Sequence, residues 1–154
     1  MIDNQTVQNL ITSWWFDYDQ GNFDVWPKYF TGDAHFSCRT DSGTAPYEEL
    51  LRADVHGRDR VIAWQIGHRR GGPYPLRHNG TNVHVCSAGM RESTFRSYIF
   101  VTQILDHSVS NVSSGLCLGR VRLEDREAKI AELRIVLDYT DSEVFGMAPR
   151  QQPT

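Results

Sequence analysis

Apolar residues recur every three or four positions in the first part of the chain and every second position toward its end. Val7, Leu10, Ile11, Trp14, Trp15 and Tyr18 follow the first spacing. That spacing puts one broad apolar face on a helix over residues 5–19. Asp3 or Asn4 can cap its start, and Gly21 stands just past its end, where a left-handed residue is favoured. Asn22 or Asp24 can open a second, short helix with Trp26, Tyr29 and Phe30 on one face and Pro27 in or near its first turn. "DYDQGNFDVWPKYF" therefore reads as helix, tight turn, helix. Residues 34–39, "AHFSCR", read as a strand, and "TDSGTAP" reads as a loop. A third helix is expected over residues 46–67 from Leu50, Leu51, Val55, Val61, Ile62 and Ile66, with Gly57 as a place where it breaks or kinks. "GHRRGGPYP" reads as loop.

Beyond that loop the period becomes two. Residues 80–86, 93–106, 115–125 and 128–139 alternate or are dense in β-branched and aromatic residues, and "SAGMRE", "DHSVSNVSSG" and "EDREAK" separate them. In "TFRSYIFVTQIL" one face is Phe95, Ser97, Ile99 and Val101, and the other is Arg96, Tyr98, Phe100 and Thr102. Strands joined by short turns pair antiparallel. Helices first and strands later indicate an α+β fold. The economical arrangement is a curved antiparallel sheet wrapped around the N-terminal helices, with a cone-shaped interior that forms a ligand pocket. No internal repeat or linker interrupts the chain, so residues 1–154 are expected to form a single domain.

Composition narrows the function classes. The 154 residues suffice for one sizeable core. A net charge of −3 and a pI near 6.0 argue against a nucleic-acid partner. Arg69, Arg70 and Arg77 form a local basic cluster, read as a solvated loop. No stretch reaches the roughly 20 apolar residues that cross a bilayer, and the N-terminus has no basic, then apolar, leader. A cytoplasmic protein without a membrane partner is expected. Cys38, Cys86 and Cys117 are odd in number and widely spaced, which fits reduced thiols. His35, His56, His68, His84 and His107 show no metal-ligand spacing, so no metal is expected.

Helix, "D-x-G-x-F-D-x-W…F", strand, long helix, "R-H-x-x-x-N-V-x-V" and three long strands together resemble the SnoaL-like branch of the nuclear-transport-factor-2-like superfamily. The resemblance spans roughly residues 5–140. "LRHNGTNVHV" and "GRVRLED…AELRIVLD" are similar to segments of small β-subunits of ring-hydroxylating dioxygenases. The dehydratase members, such as scytalone dehydratase and bile-acid 7α-dehydratase, carry an aspartate at the end of the first helix and a histidine at the entrance to the strand after the third helix. Asp19 and His78 match those positions, and Tyr18 matches a tyrosine that precedes the aspartate. A tyrosine expected on the first strand is here Cys38 or Ser37. Ketosteroid isomerases carry a basic aspartate on that strand, and "AHFSCR" offers none.

The resemblance implies Asp19 and His78 as a catalytic acid–base pair. Histidine serves as acid and base near neutral pH, and a carboxylate on one ring nitrogen fixes the tautomer and raises the basicity of the other. Tyr18 can donate a hydrogen bond to a substrate oxygen. Trp14, Tyr98, Asn82 and Arg134 complete the substrate-binding candidates. Arg134 equally suits an ion pair, Asn82 a strand edge, and Trp14 the core. The first functional expectation is a cofactor-independent lyase or isomerase, dehydratase- or cyclase-like, acting on a small, largely apolar, oxygenated substrate. The alternatives are a non-catalytic β-subunit-like scaffold for a dioxygenase and a small-ligand-binding module. A homo-oligomer, dimer or trimer, suits all three, because an open sheet has an outer face to cover.

Overall fold

The computed structural model describes residues 2–140, and the ends of the 1–154 span expected for the domain lie outside them. Helix α1 runs Asn4–Gln20. Its N-cap is Asp3, whose carboxylate accepts the Thr6 amide at 2.8 Å. Gly21 ends it at φ 68°, a left-handed conformation that glycine adopts without steric cost. A 3-10 helix, Phe23–Tyr29, follows with Pro27 inside it.

Strand β1, Phe30–Thr40, is longer than "AHFSCR" alone. The helix expected over 46–67 is instead three elements: α2 (Glu48–Leu51), β2 (Ala53–His56) and α3 (Arg58–Gly71). Gly57 at φ 89° breaks the helical path, and the backbone of β2 is satisfied by antiparallel pairing with β1. Helix α3 continues through "GHRRG", which the local composition marked as loop. Its buried positions Val61, Gln65 and Arg69 are four residues apart, so the helical face extends past the glycine.

Strands β3 (Leu76–Ala88), β4 (Glu92–Leu105), β5 (Ser108–Glu124) and β6 (Glu127–Leu137) complete the described chain. The β4–β5 turn is Asp106–His107 at φ 48° and 60°, and the β5–β6 turn is Asp125–Arg126 at φ 52° and 69°. Positive φ at both central residues matches the twist of a tight hairpin. "SVSNVSS", expected as turn, is therefore strand, because β4 offers it a partner along its whole length.

Among the described residues the strands form one sheet in the order β2-β1-β6-β5-β4-β3. Neighbours pair antiparallel except β1 and β6, which are parallel. The expected antiparallel sheet is thus antiparallel at every junction but one. The sheet is curved and unclosed, and its fold class is α+β as expected. Helices α1 and α3 pack on the inner face, α1 against β3 and β6, and α3 against β1 and β2. Trp14 sits at the centre of an aromatic cluster, with ring centroids 5.2 Å from Trp26, 5.7 Å from Tyr29 and 4.9 Å from Phe30. Phe95, Ile99, Val101, Leu133 and Ile135 close the core from the sheet.

Candidate functional site

The end of α1 and the start of β3 meet beside a cavity of about 680 Å³ between α1, α3 and the sheet, with Tyr18, Phe36, His68, His78, Ile99 and Leu133 in its wall. Its lining is mostly apolar with a few polar groups, the usual make-up of a small-molecule site.

Asp19 and His78 meet there. Asp19 Oδ1 lies 2.6 Å from His78 Nδ1, and Oδ2 accepts the His78 backbone N–H at 2.8 Å. Both carboxylate oxygens thus hold one residue. The contact assigns the ring proton on Nδ1 to Asp19 and leaves Nε2 for the cavity. The His78 ring stacks on Trp15, with centroids 4.8 Å apart and planes 3° apart, and meets Tyr18 edge-on at 5.1 Å. Both side chains of the pair are nearly buried, at 10% and 6% exposure.

The supports explain residues that carried no role in the sequence. A Cβ on Gly80 would lie 2.8 Å from Trp15 Cδ1, so the glycine of "HNG" is the seat on which Trp15 holds the His78 ring. Arg69 was expected in a solvated loop; it is buried on α3. Its Nε and Nη2 donate to the Asp19 carbonyl at 3.2 and 2.8 Å, and Nη1 donates to the Pro73 carbonyl at 3.2 Å. It satisfies the end of α1, where carbonyls lack helical partners.

Tyr18 contacts a histidine that sequence reasoning passed over. Its hydroxyl lies 2.8 Å from His68 Nδ1, and the His68 ring stacks on Trp64 at 5.0 Å. Burial, then the nearby His78 and Arg69, hold the His68 pKa below its ordinary value. Burial also pushes the Tyr18 phenol upward. Both groups are therefore neutral at pH 7. With Nδ1 bare, Tyr18 donates to it; with Nδ1 protonated, His68 donates and the phenol proton is free for a substrate oxygen. The i, i+4 pair Trp64–His68 in "WQIGH" was the available signal, hidden once residues 67 onward read as loop.

Cys38 faces inward where the resemblance implies a tyrosine, and its thiol is pushed up to about 12 by burial and then by Glu48. The thiol is therefore protonated at neutral pH. Gln65, 1% exposed, lines the same cavity, and its Oε1 has no hydrogen-bond partner among the described residues.

Of the remaining candidates, Trp14 lines the cavity, whereas Tyr98, Asn82 and Arg134 do not. Tyr98 is 56% exposed on the outer face, because the inner face of β4 is the one bearing Phe95, Ile99 and Val101. Asn82 has φ 54° and lies in an irregular stretch of the β3–β4 register between Thr81 and His84, which turns it to solvent. Arg134 points outward between inward Leu133 and Ile135, with Nη2 3.5 Å from Glu132. Sheet alternation separates Tyr98 and Arg134 from the cavity. Sequence spacing marked no metal-ligand set among the histidines, but two of them and an aspartate are close in space. Ligand atoms of His35, Asp54 and His56 all lie within 4.8 Å of one another on the outer face.

The model of the SnoaL-like domain matches residues 1–134. The chain belongs to this family. The SnoaL-like fold is shared by a protein of unknown function from Mycobacterium tuberculosis, at TM-score 0.72 and 20% identity, covering 90% of this chain and 73% of that one. It is shared by the β-subunit of a putative aromatic-ring-hydroxylating dioxygenase from Novosphingobium aromaticivorans, at TM-score 0.69 and 11% identity over 88% and 89% of the two chains. A putative scytalone dehydratase from the same organism matches at TM-score 0.68 and 14% identity over 97% and 94%. At these identities the likeness concerns the fold of a SnoaL-like domain. No curated protein matches the sequence. No helix among the described residues is long and apolar enough to cross a membrane.

Proposed function

We propose that this SnoaL-like chain is a cofactor-independent lyase or isomerase that uses Asp19 and His78 as its acid–base pair. The observation that carries the reading is the 2.6 Å Asp19–His78 contact at the wall of a largely apolar cavity. In a dehydration, Nε2 removes the proton beside a substrate carbonyl, and Asp19 stabilises the imidazolium that forms. The same ring then returns a proton to the departing hydroxyl, which leaves as water, and the carbon–carbon double bond closes. Tyr18, with His68 donating to its oxygen, presents its phenol proton to the carbonyl oxygen where charge develops. The volume and apolar wall suit a small ring-containing hydroxyketone. Trp14 supplies wall rather than polar contact.

The test is turnover of apolar β-hydroxyketones followed by absorbance of the conjugated product. Native protein is expected to form product, and His78→Gln to lose at least about 100-fold in rate with its circular dichroism unchanged. Equal rates in the two proteins would overturn the assignment. Ligand binding without product would favour the binding module.

A scaffold reading is favoured by one observation: Tyr98 and Phe100 are exposed side by side on the outer face of β4, at 56% and 37%. Such a patch is suited to a partner surface, a second copy or a larger oxygenase chain. Sedimentation alone and after co-expression with a Rieske-type subunit distinguishes the two partners.

A further inference from the structure

The outer face of the sheet margin holds a second cluster of histidine and aspartate, far from the chemistry of the cavity. Register places His35 opposite His56 and Ser37 opposite Asp54. Because side chains alternate along a strand, His35, Asp54 and His56 emerge on the same face. The two imidazole rings stack, 4.0 Å between centroids and 8° between planes. Both Nε2 atoms converge on one carboxylate oxygen, Asp54 Oδ1, at 2.7 and 3.6 Å. The next outward residue in that row, Glu132 on β6, is already engaged by Arg120 at 3.6 Å and Arg134 at 3.5 Å. The trio is thus a separate group open to solvent, with side-chain exposures of 30%, 76% and 68%.

We infer that His35, Asp54 and His56 form a binding site for a divalent first-row transition ion such as Zn²⁺, which clips the edge strand β2 to β1. Without an ion, His35 Nε2–H donates to Asp54 Oδ1 at 2.7 Å; a bound ion takes the place of that proton, and each neutral ring then keeps its proton on Nδ1 and presents the Nε2 lone pair. Two Nε2 atoms and a carboxylate oxygen at one point are a suitable donor set. Zinc takes imidazole nitrogen at about 2.0–2.1 Å and carboxylate oxygen at about 2.0–2.2 Å, which in a tetrahedral site sets donors roughly 3.3 Å apart. The present separations to Asp54, 2.7 and 3.6 Å, bracket that value, and the ligand atoms of all three residues lie within 4.8 Å of one another. Two imidazoles among three ligands select zinc, nickel or copper over magnesium and calcium, which prefer oxygen. The remaining coordination position is open to water. The structural consequence is local. Strand β2 has four residues, lies at the sheet margin and leads directly through Gly57 into α3, so a bound ion anchors the base of the helix that carries His68 and Arg69.

The experiment titrates the untagged chain with ZnCl₂, NiCl₂ and MgCl₂ by calorimetry, with nitrogen-15 spectra of the histidine rings. The expected result is one Zn²⁺ or Ni²⁺ per chain, no Mg²⁺, and shifts confined to His35 and His56. Zn²⁺ is expected to raise Tm, as any ligand of the native state does. His56→Ala, at an exposed position, is expected to weaken Zn²⁺ binding at least tenfold with Tm in chelator unchanged, and Asp54→Asn to act likewise. Cys86→Ser, which removes the exposed thiol, is expected to leave binding intact. Absence of saturable binding, unchanged affinity in His56→Ala, or loss of binding in Cys86→Ser would each overturn the site.

Discussion

Two histidine–aspartate contacts in this fold have nearly the same length and opposite surroundings. Asp19–His78 is 2.6 Å and almost buried. His35–Asp54 is 2.7 Å and largely open to water. The inner pair is held on every side: a second hydrogen bond from the His78 backbone, Trp15 stacked on the ring, and Arg69 on the Asp19 carbonyl. The outer pair is held by strand register and by His56. Distance alone therefore says little about what a histidine–aspartate pair does. Dielectric and constraint decide whether it orients a ring for chemistry or remains a loose set of donors.

The largest expected difference comes from removing each carboxylate. Asp19→Asn keeps the shape but aims an amide N–H at one of two donors on His78. We expect a loss of about 3 kcal/mol in denaturant unfolding, as for a broken buried pair, with turnover falling together with that of His78→Gln. A loss under about 1 kcal/mol would show the inner pair to be no more constrained than the outer one.

Gly80→Ala tests the constraint without touching a charge. The added methyl must displace the Trp15 ring, which we expect to destabilise the fold by about 1–3 kcal/mol and to lower turnover through a misaligned His78. Normal activity at reduced stability would mean that the Trp15 stack does not position the ring.

The third test uses pH. The His68 pKa is lowered in the fold, chiefly by burial, so the unfolded chain binds the proton more readily. Its contribution to stability is full above about pH 6.5, the ordinary histidine value, and declines as pH falls below it toward the folded pKa. His68→Gln should flatten this part of the profile in chemical denaturation between pH 8 and 5. A profile identical to native would place the acid sensitivity elsewhere.

The smallest effect is expected at the outer pair. Asp54→Asn in the presence of chelator should change stability by less than about 1 kcal/mol. A larger change would mean that the outer cluster, like the inner one, is part of the structural frame.

The contrast also shows which parts of the molecule were legible from sequence. Helix α1, its Asp3 cap and Gly21 end are local, so spacing and capping chemistry revealed them. The alternation of β4 separated the face of Phe95, Ile99 and Val101 from that of Tyr98 and Phe100 for the same reason, and packing against the helices decided which of the two turns inward. The stretch 46–67 was misjudged because Leu50, Leu51 and Val55 supply apolar positions to either a helix or a strand. Pairing of β2 with β1, a non-local event, decided between them. Arg69 was lost with the end of α3, since its role exists only where α1 finishes.

Local pattern by itself therefore determined the α+β class, the order of most elements and the two-faced alternation of β4, because period and cap chemistry act within a few residues. The resemblance to the dehydratase members, carried by "DYDQGNF" and "PLRHNG", supplied Asp19 and His78 as candidates. The tertiary structure alone decided that they touch, that His68 joins Tyr18, and that Tyr98, Asn82 and Arg134 lie away from the cavity. It also brought His35 and His56 to one point across the β1–β2 register. These outcomes depend on contacts between residues tens of positions apart, and chain topology, rather than side-chain type, sets which of them form.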